Sequence, residues 1–281
     1  MVHVAKVVCP LGLAGGQGKT TVAMMLGRVL ARKGVPVLFI DADPQASLTA
    51  FLGVEIQEGR PTLLDVITQP ASKVPLYTAI HEVPNEENLF LIPANNFLEG
   101  ANHFLAASPI SIRVLRDRLH QVGEDDDDKV VNNFGVIIVD PPPERSHLAL
   151  TSMGCADFWV IPAEANVKGV QSLQRTKELV ESYQSVTQGK LLGCIPFRAK
   201  WVGLNPTGQT KESMGVMASI MGEDQMLPHI LESEIYKTAI NEQVLPRDLG
   251  KPELEYPVDR IVELIKDFLG EYTNVVSEEA A

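Results

Sequence analysis

The chain has 281 residues, of which 45% are hydrophobic, and its 24 basic and 36 acidic side chains give a formal net charge of −12. This composition excludes a wholly disordered chain, and the length suits one large α/β core better than two full domains. The three cysteines are an odd number without CxxC spacing, which excludes a disulfide framework and disfavours a cysteine-rich metal site. A reduced, cytoplasmic protein is the simplest interpretation.

Charge and hydropathy also limit the partners that the chain as a whole can bind. No apolar run reaches the roughly 18–20 residues that a membrane-spanning helix needs. The segment 255–281 holds two basic and seven acidic side chains, so it is a poor anchor for anionic lipid. The negative charge disfavours nucleic-acid binding by the whole chain but leaves room for a local basic patch.

Short apolar runs alternate with amphipathic stretches along the chain. In order, the pattern predicts a strand at 3–9, a helix at 20–32, strands at 37–40 and 89–92, a helix at 111–122, strands at 136–139 and 158–161, a helix at 170–183, a strand at 191–195 and a last helix at 258–268. Strands that alternate with helices in this way are typical of parallel sheets buried on both faces. We therefore expect an α/β fold in one domain over 1–281, with a doubly wound, mostly parallel sheet and helices on both faces.

Three segments are predicted to be loops or tails. Residues 124–128 are one glutamate and four aspartates. Because like charges repel, and five consecutive carboxylates cannot converge on one ion, a solvated loop is favoured there over a calcium or magnesium site. The segment 197–211 is polar and contains glycine and proline, so we expect a mobile loop. The tail 273–281 is expected to fray.

A glycine-rich loop is the strongest functional motif. Residues 14–21 are Ala-Gly-Gly-Gln-Gly-Lys-Thr-Thr, between the first predicted strand and the first predicted helix. Glycines let successive backbone N–H groups turn toward phosphate oxygens, and the helix N-terminus adds partial positive charge. Lys19 would then reach the β- and γ-phosphates, and the Thr20 hydroxyl would ligate Mg²⁺. A glycine turn that binds nothing is disfavoured, because this sequence stands between a strand and a helix.

Aspartates follow two of the apolar strands. Asp41 and Asp43 come directly after 37–40, and Asp140 follows 136–139. Since the carboxyl ends of parallel strands face the crevice where ligands bind, these side chains should lie near the phosphate loop. Asp140 would hold Mg²⁺ through water. A lone Asp-Pro would be read as a turn or helix cap, but two aspartates after a buried strand favour a functional site.

These motifs resemble those of the ParA/MinD family of deviant Walker A ATPases. The loop is similar to the family's KGGxGK[ST]T box, residues 41–45 to its D-x-D-P-Q segment, and the strand before Asp140 to its Walker B strand. The likeness extends over nearly the whole chain and implies a P-loop NTPase fold, an ATP hydrolase activity, and ATP and Mg²⁺ as cofactors. It assigns Asp43 to positioning the attacking water and Asp41 to the surroundings of the metal. The implied site consists of Gly15, Gly16, Gln17, Gly18, Lys19, Thr20 and Thr21 for the nucleotide, Thr20, Asp41 and Asp140 for the metal, and Lys19 and Asp43 for catalysis.

One position departs from the family pattern. The family's box opens with a second lysine that crosses the dimer interface to the partner's phosphates, and Ala14 stands there. Two triphosphates in a low-dielectric interface need compensating charge. Lys168 is our candidate substitute at the nucleotide, because it follows the strand at 158–161 and should lie at the same edge of the sheet. The alternative is an ordinary exposed lysine at the start of a helix.

The resemblance also implies a cycle and its partners. In the family, ATP closes a sandwich homodimer, and a small activator or adaptor protein of the ParB or McdB type triggers an otherwise slow hydrolysis. The acidic C-terminal segment disfavours the membrane-binding branch. This leaves a ParA-like ATPase that binds DNA non-specifically on the nucleoid and positions a plasmid, chromosome or carboxysome; the missing lysine resembles the McdA branch. The expected DNA surface consists of Arg198, Lys200, Lys211, Lys237, Arg247 and Lys251. The alternative function is a metabolic P-loop ligase of the dethiobiotin-synthetase type.

Overall fold

The computed structural model describes residues 5–120 and 133–269. The acidic run at 124–128 and the tail at 273–281 lie outside the described residues. The start of the strand predicted at 3–9 and the end of the helix predicted at 111–122 also lie outside them.

The described strands confirm the expected sheet. Seven of them form one sheet in the order β3-β4-β2-β5-β1-β6-β7, in which only the short strand β3 is antiparallel to its neighbour. They are β1 (Lys6–Pro10), β2 (Val37–Asp41), β3 (His81–Glu82), β4 (Leu89–Ile92), β5 (Val136–Asp140), β6 (Phe158–Glu164) and β7 (Lys190–Phe197). Several strands extend further than predicted, because their polar last residues still pair with a neighbour, as Asp41 does with Asp140 and Glu164 with Phe197.

Helices cover both faces of this sheet. The described α-helices are α1 (Lys19–Arg32), α2 (Ser47–Phe51), α3 (Leu63–Thr68), α4 (Ala101–Ala106), α5 (Val114–Leu119), α6 (His147–Cys155), α7 (Val167–Tyr183), α8 (Gly208–Met221), α9 (Glu234–Asn241) and α10 (Tyr256–Leu269). The helix predicted at 111–122 is a 3₁₀ turn (Ser111–Arg113) followed by α5. None of the helices over the described residues has the length and apolar composition that crossing a bilayer requires.

The segment 197–211 has regular structure instead of the expected mobile loop. Strand β7 continues to Phe197, and a hairpin follows, formed by β8 (Trp201–Val202) and β9 (Asn205–Pro206). Helix α8 then begins after Thr207, whose hydroxyl accepts the backbone N–H of Thr210 at 3.3 Å. The polar residues that suggested a loop are therefore a turn and a helix cap.

The core lies on the two faces of the sheet. Adjacent strand residues point to opposite sides, so that Ile138 joins the apolar cluster under α1 and α10 while Ile137 joins the cluster under α3 to α6. Helix α1 lies close to β2 because Gly27 has no side chain; a Cβ there would stand 2.0 Å from the Phe39 ring. This packing fixes the start of α1, and with it the glycine loop, at the carboxyl edge of the sheet.

Candidate nucleotide site

The glycine loop has the backbone that the motif predicts. Gly16 and Gly18 adopt left-handed conformations, with φ of 80° and 93°. The Gly18 carbonyl accepts the N–H of Val22 at 2.8 Å, which starts α1. A Cβ on Gly18 would stand 2.7 Å from the ring of Phe197. Glycine is therefore required at this position both for the backbone angle and for the close approach of β7.

An open cavity of about 270 Å³ lies over this loop at the carboxyl edge of the sheet. The predicted residues that line it run from Gly15 to Thr21, together with Asp43. Five further lining residues were not predicted to belong to the site: Gln45, Ser47, Pro143, Phe197 and Arg198. Asp41 and Asp140 lie beneath the cavity, where they are 0% and 1% exposed.

Asp41 and Asp140 stand side by side, since they are register partners at the ends of β2 and β5. Asp41 is fully engaged by protein groups. One carboxylate oxygen accepts the Thr49 N–H at 2.8 Å and the Thr49 hydroxyl at 2.7 Å, and the other accepts the Asp43 N–H at 3.2 Å. Burial raises the pKa of Asp41 to about 6, although these hydrogen bonds oppose the rise. The geometry favours a role in shaping the turn over direct metal ligation.

Asp140 has the opposite environment. Both of its carboxylate oxygens are buried, and within the described ranges neither accepts a hydrogen bond of ordinary geometry, although the Thr20 hydroxyl lies near them. Burial, followed by the charge of Asp41, raises the pKa of Asp140 to about 7, while the Thr20 hydroxyl and the Lys19 ammonium group act to lower it. A buried carboxylate without donors is costly unless a cation is nearby. Asp140 therefore fits a group that holds a metal ion.

Lys19 lines the cavity. It is 7% exposed, and burial lowers its pKa, against which the charges of Asp140 and Asp43 act. In the part of the chain that the structure describes, no group of three or more His, Cys, Asp or Glu side chains could by itself hold a metal ion. The donors present, the Thr20 hydroxyl and the Asp140 carboxylate, fit Mg²⁺, which keeps several waters and binds through few protein ligands and substrate phosphates.

Asp43 is half-buried and lines the cavity itself. One of its oxygens accepts the Gln45 N–H at 2.9 Å. Its other oxygen has no protein hydrogen bond among residues 5–120 and 133–269. This carboxylate is thus oriented by its own turn and still presents an acceptor to the cavity.

Lys168 lies beside the glycine loop, at the edge of the sheet where it was expected. Helix α7 begins at Val167, and the exposed Lys168 side chain reaches back so that Nζ donates to the Gly15 carbonyl at 3.2 Å. The position is therefore adjacent to the phosphate loop, whereas its role toward the nucleotide stays a prediction.

A second cavity of about 150 Å³ adjoins the first and shares Thr21, Phe197 and Arg198 with it. Its other wall comes from the segment that follows β7, including Leu231 and Tyr236. Arg198 has a left-handed backbone with φ of 52°, and its guanidinium carbon lies 5.5 Å from the centre of the Phe197 ring. Sequence reasoning missed both residues at the site because it ended strand β7 at residue 195.

The predicted basic surface is largely neutralised. Five of the six residues have a carboxylate within ion-pair distance, whereas Lys211 has none among the described residues. The pairs are Arg198–Glu164 at 3.8 Å, Lys200–Glu232 at 3.5 Å, Lys237–Glu234 at 2.9 Å, Arg247–Glu255 at 2.5 Å and Lys251–Glu253 at 3.9 Å. Because the chain has more acidic than basic residues, a lysine or arginine on its surface commonly has a carboxylate nearby. The positions of the basic residues in the sequence therefore do not by themselves define a positively charged surface for DNA.

Comparison with known proteins agrees with this geometry. Residues 5–191 match the family described as AAA domain. Over 258 residues, 90% of this chain and 94% of the relative, the sequence is 41% identical to the maintenance of carboxysome distribution protein A of Gloeothece citriformis. It is 28% identical over 276 residues, 95% of this chain and 97% of the relative, to the sporulation initiation inhibitor protein Soj of Bacillus subtilis. The fold superposes on the ATP complex of a Cyanothece McdA variant with a TM-score of 0.86 and 39% identity, covering 94% of this chain and 97% of the other.

The fold, the phosphate loop and the paired strand-end aspartates define a P-loop ATPase. The chain belongs to the ParA/MinD family of deviant Walker A ATPases and, within it, is similar to the carboxysome-distribution proteins known as McdA.

Proposed function

We propose that this chain is a ParA-like ATPase of the McdA type. It would bind ATP and Mg²⁺, close as a homodimer around the nucleotide, bind DNA non-specifically and position a cargo, for which the relatives suggest the carboxysome. The observation that supports this best is the convergence of the glycine loop, Asp43 and Asp140 at one edge of the sheet, in a chain similar to McdA over nearly its full length.

The residues divide the chemistry between binding and water activation. The backbone N–H groups of the loop and the Lys19 ammonium group would hold the phosphates, while Thr20 and Asp140 would hold the metal. Bound Mg²⁺ would add positive charge where the β- and γ-phosphates become more negative. Asp43, oriented by the Gln45 N–H, would accept a hydrogen bond from the attacking water and fix its direction. Asp41 would act indirectly, by holding the turn that carries Asp43.

The dimer would also need a cation in place of the absent box lysine. Ala14 supplies no charge, and Lys168 is the replacement that the sequence predicts; its ammonium group lies 3.2 Å from the Gly15 carbonyl of the phosphate loop. We propose that Lys168 compensates the charge of the triphosphates in the closed dimer. Lys168→Ala should then still bind ATP but stay a monomer at concentrations where the parent dimerises. Adding Ala14→Lys to that variant should restore the dimer.

DNA binding and a partner protein complete the proposal. A ParB- or McdB-type adaptor would stimulate hydrolysis, and the protein would act in the cytoplasm on the nucleoid. Of the cations on the expected surface, Lys211 has no carboxylate within ion-pair distance in the described residues, so we expect it to contribute most to phosphate contact. Lys200, whose N–H donates to the hydroxyl of Thr210 next to Lys211, would join it when a DNA phosphate displaces Glu232, now 3.5 Å away. This surface would act through charge, so affinity should depend steeply on salt and little on DNA sequence.

Light scattering and DNA titration together test this function. With Mg²⁺ and ATP, but not with ADP, Asp43→Ala should form a stable dimer that binds random-sequence duplex DNA. Lys211→Glu should weaken DNA binding and flatten its salt dependence, and adding Lys200→Glu should weaken binding further; Arg260→Glu on α10, which changes the net charge by as much as Lys211→Glu, should not. A protein that stays monomeric with ATP, and turns over only when a small carboxylate or amine is added, would instead be the metabolic ligase.

A further inference from the structure

The phosphate loop is fastened to one neighbouring part of the molecule at three points. That part is the segment 164–169 at the junction of β6 and α7, which we call the β6–α7 turn, together with the helix that follows it. The three hydrogen bonds join Leu13 N–H to Thr176 Oγ1 at 3.1 Å, Glu164 N–H to Gln17 Oε1 at 3.0 Å, and Lys168 Nζ to the Gly15 carbonyl at 3.2 Å. Two of them involve the β6–α7 turn itself.

The β6–α7 turn is rigid within itself. Asn166 caps α7 by accepting the Gly169 N–H at 2.9 Å, and its own N–H donates to the Glu164 carbonyl at 2.7 Å. A Cβ on Gly169 would stand 1.8 Å from that carbonyl oxygen, so the first turn of α7 lies directly on the end of β6. A group that holds the Glu164 backbone therefore also fixes the backbone of Lys168, which lies in the first turn of α7.

Gln17 is that group, and its chemistry is unusual for its place. The residue is 1% exposed, and its side-chain oxygen accepts the Glu164 N–H. Its amide nitrogen is buried and has no acceptor among the residues that the structure describes. A buried donor without a partner lowers stability, whereas the hydrogen bond to the Glu164 N–H raises it; an apolar side chain of similar size would remove both effects and leave the Glu164 N–H without its acceptor. The two effects offset each other, so the main consequence of an amide at this position is where it holds the Glu164 backbone.

We propose that Gln17 is a positioning residue that sets the location of Lys168 relative to the phosphate loop, acting through the Glu164 backbone. The inference rests on the proposed function, in which Lys168 supplies charge to the closed dimer. Gln17 would add no charge of its own. It would hold the β6–α7 turn against the loop and so fix the backbone of Lys168. The Lys168 side chain would then lose less conformational entropy when it contacts the phosphates.

Gln17→Leu tests this, because it removes both the acceptor and the unpartnered donor. The melting temperature should change little, because removal of the buried unpartnered Gln17 donor is offset by the loss of the acceptor for the Glu164 N–H. Because Gln17 belongs to the phosphate loop, the variant's Mg-ATP affinity is measured by calorimetry and dimerisation is compared at saturating Mg-ATP, so that a change in nucleotide binding is separated from the effect on the β6–α7 turn. The protein concentration needed for ATP-dependent dimerisation should rise about tenfold or more, because the dimer would contain the lost contact twice. Amide exchange in 164–169 should quicken relative to the parent.

Two further variants separate positioning from a merely structural role. Thr176→Val removes the acceptor for Leu13 farther along α7 and leaves the turn in place, so it should lower the melting temperature without changing dimerisation. In a Lys168→Ala background, Gln17→Leu should have almost no further effect on dimerisation, since it acts through that lysine.

The inference would be overturned if the effects of Gln17→Leu and Lys168→Ala on the free energy of dimerisation were fully additive. It would also be overturned if Gln17→Leu dimerised like the parent and its amides in 164–169 exchanged at the parent rate. If the parent itself does not dimerise with ATP, the proposed function fails. Exchange in 164–169 still decides whether Gln17 holds the turn.

Discussion

Asp140→Asn should make the protein more stable while removing its ability to bind Mg-ATP. Asp140 is buried beside Asp41, and in the described structure its oxygens accept no hydrogen bond of ordinary geometry, although the Thr20 hydroxyl lies nearby. The carboxylate therefore lowers the stability of the folded protein when no cation is bound, as expected of a residue whose role is to bind one. Replacing it with an amide of the same size removes the charge without opening a cavity.

The magnitude follows from the pKa of Asp140, which is raised to about 7 from an ordinary value of 3.8. The folded protein binds more protons than the unfolded chain between these values, so this carboxyl lowers stability as the pH rises from about 4 to 7. Above pH 7, the ionised carboxylate lowers the free energy of unfolding by about 4 kcal/mol. The amide that replaces it lowers the free energy of unfolding by about 1–3 kcal/mol, because its buried N–H groups have no acceptors. We expect a net gain of about 1–3 kcal/mol at pH 8 and none at pH 4.

Urea denaturation at pH 8 and pH 4, in buffer without Mg²⁺ or nucleotide, measures this difference. Asp41→Asn is the matched control. The pKa of Asp41 is also raised, to about 6, but its oxygens accept three hydrogen bonds from Thr49 and Asp43, which an amide cannot all keep. That variant should gain nothing at pH 8. A less stable Asp140→Asn at pH 8, or an equal gain in both variants, would refute the reasoning.

Three other predictions concern catalysis and packing. Asp43→Ala should keep ATP binding in calorimetry but slow phosphate release about a hundredfold or more, and hydrolysis at the parent rate would remove its assigned role. Gly169→Ala should cost about 1–3 kcal/mol in denaturant unfolding, because its Cβ would collide with the Glu164 carbonyl; unchanged stability would mean that α7 can shift. Glu255→Ala should cost about 1–3 kcal/mol in the same assay, since the fully buried Glu255 accepts the backbone N–H and Nε–H of Arg247, both at 2.5 Å, and Glu255→Gln should cost less.

The fold and the centre of the site could be predicted because they depend on local patterns. Apolar runs that alternate with helices determine a parallel sheet, and the carboxyl ends of its strands must meet at one edge. The loop at 14–21, Asp43 and Asp140 therefore converge whatever the side-chain details are. The start of a helix after β6 likewise placed Lys168 near the loop.

The parts that were missed depend on contacts between distant residues. Phe197 lies against Gly18 because β7 continues two residues beyond its predicted end at residue 195, through pairing with β6. The hydrogen bond between Gln17 and the Glu164 backbone joins residues 147 positions apart, and no local sequence pattern predicts it. The pairing of the surface cations is of the same kind, since each ion pair depends on how segments are placed in three dimensions.

Calorimetric titration of Mg-ATP into the parent and into Lys19→Ala tests the central claim most directly, because it asks whether the glycine loop is a nucleotide site. The parent should bind about one ATP per chain, with affinity that depends on Mg²⁺. Lys19→Ala should remain folded and show no binding, since the phosphates would lose the charged side chain that lies among the loop's neutral donors. Equal affinity in the two proteins, or no binding by the parent, would contradict the account.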